Sequence, residues 1–308
     1  MKYHLHLIAM LSLAMLTMTS CENSSEELGN EAKKETLLSI RVSRFDVIPF
    51  DTRAEQQISD YCKRLHFVVF QGTKEVKRIN QSSTDTNFGS VSMTLTEGSY
   101  QIVVIAHSSS ADPSISNSQV TFATGKMSDV FYYSKDIAIA GEEQNIDMEL
   151  ARATSMFRFK TKDNVPTDCK LVDILLEKTS CILDLSTGLG GTSNNNTYTH
   201  EFVEDEIGKP FQMEVYCLLN EVSRTITVTV TARKLDGTSI LKSKEFKNVP
   251  MEKNKITQYS GYFFGDAPSG GDDNSGGDTS GGNTPEDGTQ AFKVTISSDW
   301  AGTNEYTF

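Results

Sequence analysis

The residue types that most often carry out chemistry are sparse and widely spaced in this chain. Beyond the first ten residues the histidines are His66, His107 and His200. Because they lie far apart in sequence, we expect each to be a strand-surface or core-edge residue and not a metal ligand. Gly188-Leu-Gly-Gly191 precedes an asparagine-rich loop and not a helix, so it does not predict a phosphate site. The chain has no G-x-S-x-G elbow, P-loop or G-x-G-x-x-G motif, and we predict neither an enzyme nor a cofactor or metal.

Cys21 has the clearest chemical role of any residue. Lys2 is followed by an almost unbroken apolar run from Leu5 to Leu16, and Thr17-Met-Thr-Ser20 leads to the cysteine. This pattern is typical of a signal peptide, residues 1–20, that ends at the cysteine which bacterial lipoproteins acylate. The apolar run is about half the roughly 20 residues that a membrane-spanning helix needs. We therefore predict an exported protein that is attached to a membrane through lipid on Cys21.

The remaining cysteines predict either disulfides or buried thiols. Cys62, Cys169, Cys181 and Cys217 are an even number, which permits two bridges in three possible pairings in an oxidising compartment. None forms a C-x-x-C pair, which argues against a redox or zinc site. Cys169 and Cys181 are the first pairing we expect, and buried free thiols are the alternative.

The charge of the chain argues against two kinds of partner. The formal net charge is −12, and it becomes −13 when Lys2 leaves with the signal peptide. Nucleic acid attracts basic patches, so we expect no nucleic-acid partner. The same negative charge argues against electrostatic docking on anionic lipid.

The elements that must position any site are β-strands. From Leu37 onward the hydrophobic period is two: Leu38, Ile40 and Val42 alternate with polar residues, and Ile226, Val228 and Val230 alternate with threonines. Gly, Asn, Asp and Ser separate these short segments, and a short helical turn is expected within 126–133. The strands that we predict cover residues 38–43, 65–70, 91–95, 100–106, 146–150, 156–160, 171–177, 211–218 and 225–231. The pattern restarts near Ala151, which predicts an all-β protein of two consecutive β-sandwich domains of transthyretin-like or Greek-key type.

The ends of the chain differ from this body in composition. Residues 22–34 are polar and acid-rich and predict a tether, and residues 265–288 consist almost entirely of Gly, Ser, Asp, Asn and Thr and predict a disordered linker. After the linker, Phe292, Val294 and Ile296 alternate as in a strand, which is too short to fold alone and needs a groove or edge strand. The predicted organisation is a signal peptide (1–20), a lipid-anchored tether (21–36), an N-terminal sandwich (37–151), a C-terminal sandwich (152–264), a linker (265–288) and a C-terminal strand segment (289–308).

Two stretches of sequence resemble a known family. Residues 65–70 with Gly98-Ser-Tyr-Gln-Ile-Val-Val-Ile-Ala106 resemble a hairpin in the first domain of Bacteroidales fimbrillins, and residues 248–264 resemble the segment that closes their second domain. The resemblance covers roughly residues 37–265. It implies a non-catalytic lipoprotein of the outer membrane, exposed at the cell surface, whose partners are other fimbrial subunits and a receptor that the sequence does not identify. The group includes stalk, tip and anchor subunits.

The resemblance also implies a mode of assembly. In stalk members, a protease cuts after an arginine near the start of the first domain, and a strand of a neighbouring subunit fills the opened groove. Arg41, Arg44 and Arg53 are candidates for that cut, and Arg53 lies in the most polar surroundings. The linker and the strand segment after it depart from the stalk pattern. We therefore expect an anchor, tip or accessory subunit, with Phe292, Val294 and Ile296 as the exchanging strand, either within the chain or between chains.

A surface glycan-binding lipoprotein is the alternative function. Such proteins share the lipid anchor, the tether and the β-sandwich domains. They usually present aromatic platforms, and here only Trp300 is available, with Tyr132, Tyr133 and Tyr198 as weaker candidates.

Overall fold

The computed structural model describes residues 34–46, 58–265 and 293–297, and these residues form an all-β protein, as the sequence predicts. A short 3-10 turn, Glu204–Glu206, and one helical turn, Ile58–Tyr61, interrupt the strands. No helix among the described residues is long and apolar enough to cross a membrane. In chain order the elements are β1 (Glu35–Asp46), α1 (Ile58–Tyr61), β2 (Arg64–Gln71), β3 (Lys74–Ser82), β4 (Ser90–Thr96), β5 (Gly98–His107), β6 (Ser114–Ile115), β7 (Gln119–Thr121), β8 (Val130–Ile139), β9 (Gln144–Arg152), β10 (Ser155–Asn164), β11 (Cys169–Thr179), β12 (Ile182–Asp184), β13 (Asn194–Glu201), β14 (Pro210–Cys217), β15 (Ser223–Lys234), β16 (Ile240–Glu252), β17 (Ile256–Gly261) and β18 (Lys293–Ser297).

Seven of the first nine strands form one large sheet, with the order β3-β2-β5-β8-β9-β1-β4. Its two edge strands, β3 and β4, are joined by the side chain of Gln81. The Gln81 amide donates to the carbonyl oxygen of Ser90 on β4 at 2.9 Å, and its oxygen accepts from the backbone amide of Gly89 at 2.9 Å. A single side chain thus links the two edges, between which there is no backbone ladder.

Strands β2 and β5 are buried on both faces, which explains their continuous apolar sequences. On one face Phe67 and Val104 belong to a core formed by the first half of the chain alone. On the other face Val68 and Val103 belong to a larger core that also contains Phe157 and other residues of the second half. The hydrophobic interior is therefore shared between the two halves.

The second half supplies two four-stranded sheets, with the orders β14-β10-β17-β18 and β13-β11-β15-β16. On β15, Ile226, Val228 and Val230 are buried and the threonines between them are half-buried, which confirms the predicted alternating strand. A fourth, small sheet among the described residues, with the order β12-β7-β6, contains strands from both halves of the chain.

Sheet membership changes between Arg152 and Ser155, close to the predicted restart near Ala151. The described residues from Lys34 onward nevertheless form a single compact unit. In the first half β1 pairs in parallel with β9, and in the second half β10 pairs in parallel with β17, so the two halves repeat this pairing.

Two sequence-based expectations are corrected by the structure. Residues 126–129 have no helical structure and Val130 already begins β8, so the helical turn expected within 126–133 is absent. The predicted Cys169–Cys181 bridge is also wrong. Cys169 begins β11 and Cys181 lies two residues beyond its end at Thr179.

The length of β11 is the reason that this bridge cannot form. An extended strand rises about 3.3 Å per residue, so the two α-carbons lie roughly 30 Å apart or more. A disulfide requires about 4.4–6.8 Å between α-carbons. All four cysteines of the described residues, Cys62, Cys169, Cys181 and Cys217, are buried free thiols, as the alternative expectation stated.

Candidate functional site

The last described strand lies on the edge of a sheet in the same chain. β18 pairs antiparallel with β17, in a register that places Lys293 opposite Ser260 and Ser297 opposite Ile256. On its other side β17 pairs in parallel with β10. Without β18, the backbone groups on one side of β17 would be unpaired, and such an edge readily accepts another strand.

The point at which the chain leaves β17 is fixed by one carboxylate. Asp163, near the end of β10, accepts hydrogen bonds from the backbone amides of Phe263, Phe264 and Gly265, at 2.9, 2.6 and 2.7 Å. Since β18 begins opposite Ser260, the connecting segment, residues 266–292, starts and returns at the same end of the sheet. These 27 residues join two points that a short hairpin loop could join.

Strand β1 is the other element that the resemblance singles out. It lies inside the large sheet, parallel to β9 and antiparallel to β4, with Leu38, Ile40 and Val42 buried. Arg41 lies within it and donates to Asp147 at 2.8 Å. Arg44 lies opposite Glu149 in the backbone register. Both arginines are therefore part of a paired strand.

The predicted site residues fall partly outside the described residues. Cys21, Arg53 and Phe292 all lie outside them. Val294 and Ile296 lie in β18, opposite Tyr259 and Thr257 in the backbone register.

The structure also contains a cluster of polar side chains that the sequence did not lead us to expect. His66 on β2 and His107 at the end of β5 bring their Nε2 atoms within 2.9 Å, and their rings are stacked with an angle of 7°. The carboxylate of Asp112, on the loop after β5, lies 3.7 Å from His66 Nε2 and bonds to the guanidinium of Arg64. His66, His107 and Asp112 together form what we call the histidine cluster.

Burial controls the protonation of this cluster. It lowers the pKa of His107 to about 4, and the neighbouring His66 acts in the same direction. Burial likewise lowers the pKa of His66, with the Asn80 hydrogen bond and Asp112 opposing it. The hydrogen bond from Arg64 lowers the pKa of the Asp112 carboxyl group. At neutral pH both imidazoles are therefore uncharged and Asp112 is ionised.

The pairing of β2 with β5 contains the signal that sequence reasoning missed. His107 lies directly opposite Arg64, so it is a diagonal neighbour of His66 on the same face of the sheet. Aligning residues 65–70 against 100–106 as an antiparallel pair would have brought the two histidines together. Distance along the sequence was the wrong criterion. The third histidine, His200, lies elsewhere, hydrogen-bonded to Glu206 at 3.0 Å.

Comparison with known proteins identifies the family. Residues 30–304 match the family model described as a family of unknown function, DUF6562. The chain belongs to this family. No match is found among curated proteins.

Solved structures of similar fold come from Bacteroidales. They include a "putative adhesin" from Bacteroides ovatus, with 12% identity over 68% of this chain and 77% of that chain and a TM-score of 0.45. A second adhesin of the same description, from Bacteroides thetaiotaomicron, has 11% identity, coverage of 74% and 91%, and a TM-score of 0.46. The fimbrial anchor protein Mfa2 from Porphyromonas gingivalis has 10% identity, coverage of 89% and 98%, and a TM-score of 0.43. These values are too low to transfer a role to this chain.

Proposed function

We propose that this protein is a non-catalytic surface lipoprotein that serves as an anchor, tip or accessory subunit of a fimbria and joins neighbouring subunits by β-strand exchange. The observation that carries the proposal is the pairing of β18 with the edge of β17 after the long segment 266–292. A strand that completes a sheet from a distance in sequence is equally suited to complete the same sheet in another molecule.

The energetics of the connection support exchange between molecules. A two-residue turn is enough to join antiparallel neighbours, whereas residues 262–292 separate β17 from β18. Closing a loop of that length costs about 3 kcal/mol by the logarithmic scaling of loop entropy. A linker of this kind gives its strand an effective concentration on the order of millimolar. In a polymer, the strands of neighbouring subunits are held side by side. They would compete with β18 of the same chain for the edge of β17 at a comparable effective concentration.

A cross-linking experiment tests the exchange. Ser260→Cys and Lys293→Cys place two thiols opposite each other in the β17–β18 register, and the double variant should cross-link within one chain. When the two single variants are mixed and oxidised, cross-linked dimers should form only if β18 of one molecule occupies β17 of another.

Gln212→Cys provides the matched control for this experiment. Gln212 lies on β14, at the opposite edge of the same sheet and in the same row as Ser260 and Lys293. Equal dimer formation from Lys293→Cys with Gln212→Cys, or none with Ser260→Cys, would contradict strand exchange.

Deletion of residues 289–308 should abolish incorporation into polymers and leave the rest of the chain folded.

We also propose that Cys21 is acylated and that the protein is held at the outer membrane, exposed at the cell surface. A cut after Arg53 would separate β1 from the rest of the chain, because β1 ends at Asp46. N-terminal sequencing and mass spectrometry of the surface protein distinguish the roles. An acylated Cys21 is expected for an anchor-type subunit, and a start at Ala54 is expected for a polymerising one. An unmodified Cys21 in the membrane fraction would exclude the lipid anchor.

A two-domain organisation, with sandwiches at 37–151 and 152–264, is part of the same proposal. It is supported by the change of sheet membership between Arg152 and Ser155. In this arrangement the two sandwiches share a buried interface, since one hydrophobic cluster includes residues from both.

Glycan binding is the second candidate function, and an open polar cleft of ≈ 530 Å³ favours it. Amide, hydroxyl and carboxylate side chains provide the donors and acceptors that sugar hydroxyls need. The lining, within the described part of the chain, has no aromatic side chain and consists of Gln101, Asn117, Ser118, Ser134, Lys135, Asp136, Asp184, Leu185 and Ser186. Retardation by one polysaccharide of a panel in native gels, lost in Asn117→Ala/Asp136→Ala, would favour this function over strand exchange.

A further inference from the structure

We propose that the histidine cluster binds a divalent transition-metal cation of the zinc type through His66 Nε2, His107 Nε2 and an oxygen of Asp112. The three potential ligand atoms lie within 4.8 Å of one another. Two imidazoles and one carboxylate are a ligand set that such ions use, with water at the remaining positions. The proposal is independent of fimbrial assembly.

Two of the three separations between the ligand atoms are close to what a metal requires. Zinc–ligand bonds of about 2.0–2.1 Å in a tetrahedral arrangement place neighbouring ligand atoms about 3.3 Å apart. The observed separations are 2.9 Å between the two Nε2 atoms and 3.7 Å between His66 Nε2 and Asp112 Oδ1. Adjustments of a few tenths of an ångström would suffice for these two pairs.

His66 is already held in the orientation and tautomer of a ligand. Its Nδ1 lies 2.9 Å from Asn80 Oδ1, which can only accept, so the hydrogen of the ring is on Nδ1. The lone pair of Nε2 therefore points towards His107 and Asp112. An outer partner that fixes the second ring nitrogen is a regular feature of metal-binding histidines.

His107 requires one local change. The backbone amide of Ser109 donates to His107 Nδ1 at 3.1 Å, which places the ring hydrogen on Nε2, between the two imidazoles. Binding a cation at Nε2 moves this hydrogen to Nδ1, without net loss of a proton, and the Ser109 amide must turn away. Residues 108–113 lie between β5 and β6 outside any strand, so this turn breaks no sheet hydrogen bond. The buried Ser109 hydroxyl, which donates to the carbonyl oxygen of Lys126, must adjust with it.

The exposed side of the histidine cluster gives a cation access to Asp112, where it competes with the guanidinium of Arg64. The Asp112 side chain is 54% exposed and that of Arg64 is 39% exposed, so a cation can replace the guanidinium at the carboxylate. Arg64 and Arg78 both oppose a positive charge at His66, and Arg78 is in turn paired with Glu75. The nearby guanidinium groups thus favour reversible binding of the cation over permanent occupation of the site.

Zinc titration of the full chain tests the proposal. The protein, without a histidine tag and after treatment with EDTA, is titrated with ZnCl₂ against a chromophoric chelator. We expect one zinc per chain that Asp112→Asn weakens at least tenfold and that His66→Gln and His107→Gln abolish. His200→Gln is the matched control and should leave binding unchanged, because His200 lies outside the cluster.

A second readout keeps the test valid if the buried variants do not fold. Asp112 is exposed, so Asp112→Asn retains the core, and the backbone amide signal of Ser109 should shift on zinc addition in the wild type alone. Substitution of Co²⁺ should give the visible absorption of a bound ion with the same dependence on Asp112. Equal zinc binding by the wild type and Asp112→Asn, or an unchanged Ser109 signal, would overturn the proposal.

Discussion

At the scale of single residues, the junction between the two halves contains a buried ion pair. Arg152 donates to Asp129 at 3.0 Å and to Asn254 Oδ1 at 3.0 Å, and Thr154 donates to Asp129 at 2.6 Å. Arg152 is only 4% exposed. Burial raises the pKa of Asp129 and lowers that of Arg152, and their mutual attraction opposes both shifts. Such a pair adds little net stability but is costly to break on one side.

Arg152→Met should therefore destabilise the fold strongly. The substitution leaves the Asp129 carboxylate buried beside the junction without its guanidinium, which costs about 3–5 kcal/mol. Asp129→Asn/Arg152→Met should recover part of that loss, because no buried charge remains. Urea unfolding gives the free energy of unfolding of the single and the double variant. Arg41→Met, which removes the exposed pair with Asp147, is the control and should be close to the wild type.

Acidification should destabilise the protein through His107. Its pKa is about 4 in the folded chain against 6.5 for the free side chain, so between these values the unfolded chain binds a proton that the folded one does not. Stability is therefore complete above pH 6.5 and falls as the pH approaches 4, by up to about 3 kcal/mol.

His107→Gln isolates this contribution from the other titrating groups. His66, Asp112 and Arg64, which face His107, remain in the variant. Urea unfolding at pH 7.5 and pH 4.5, with EDTA present throughout, should show a smaller loss of stability in the variant than in the wild type. An equal loss in both would show that carboxylates alone cause the acid sensitivity.

At the scale of elements, what the sequence predicts depends on how each strand is buried. β15 was predictable because one face is buried and the other carries threonines, which produces strict alternation. β3 was missed because it is a mostly exposed edge strand whose one buried residue is the polar Gln81. β13 was missed because Asn194, Asn195 and Asn196 are typical of a loop. Asn196 is buried in the strand and donates to Thr179 Oγ1 at 2.9 Å.

The two candidate sites also differ in how far the sequence predicts them. A strand after the acidic linker was predictable from the alternation around Val294 and Ile296, since a short amphipathic strand needs an edge to pair with. The pairing of this strand with β17 could not be predicted, because many strands could form the edge of a sheet. Only the arrangement of the sheets determines which strand has an edge available for pairing. The histidine cluster depends on the register between β2 and β5, which no local sequence pattern predicts.

Asp163→Ala should loosen the exit of the linker from β17. The substitution removes the acceptor of three backbone hydrogen bonds, and hydrogen bonds to a charged group contribute about 1.5–3 kcal/mol each. Hydrogen exchange at the amides of Phe263, Phe264 and Gly265 should accelerate at least tenfold. Asp236→Ala is the control, since Asp236 accepts from the amides of Thr238 and Ser239 in a distant turn. Unchanged exchange at 263–265 would show that the linker is held by other contacts.

At the scale of the whole molecule, the two halves are fitted closely together. Gly188 in the second half has a φ of 67°, and a β-carbon there would lie 1.7 Å from Tyr132 Oη of the first half. Lys253 donates to the Gly188 carbonyl oxygen at 2.7 Å, and its ammonium group lies 5.5 Å from the Tyr132 ring centroid. Glycine at 188 is thus explained by contact between the halves, and not by binding of a phosphate.

The same contacts predict that the first half does not fold independently. In a fragment of residues 34–153, β7 loses its partner β12, and the buried residues Val120 and Phe122 lose the second-half members of their cluster. Exposing each such side chain costs about 1.5–3 kcal/mol, which is a large share of the 5–15 kcal/mol of a typical domain. We expect the fragment to melt at a clearly lower temperature than the full chain and to bind a hydrophobic dye. Val120→Thr/Phe122→Thr in the fragment should reduce dye binding. A monomeric fragment that melts with the full chain would show instead that the shared core contributes little, and that the two halves are held together mainly by polar contacts such as Arg152 with Asn254.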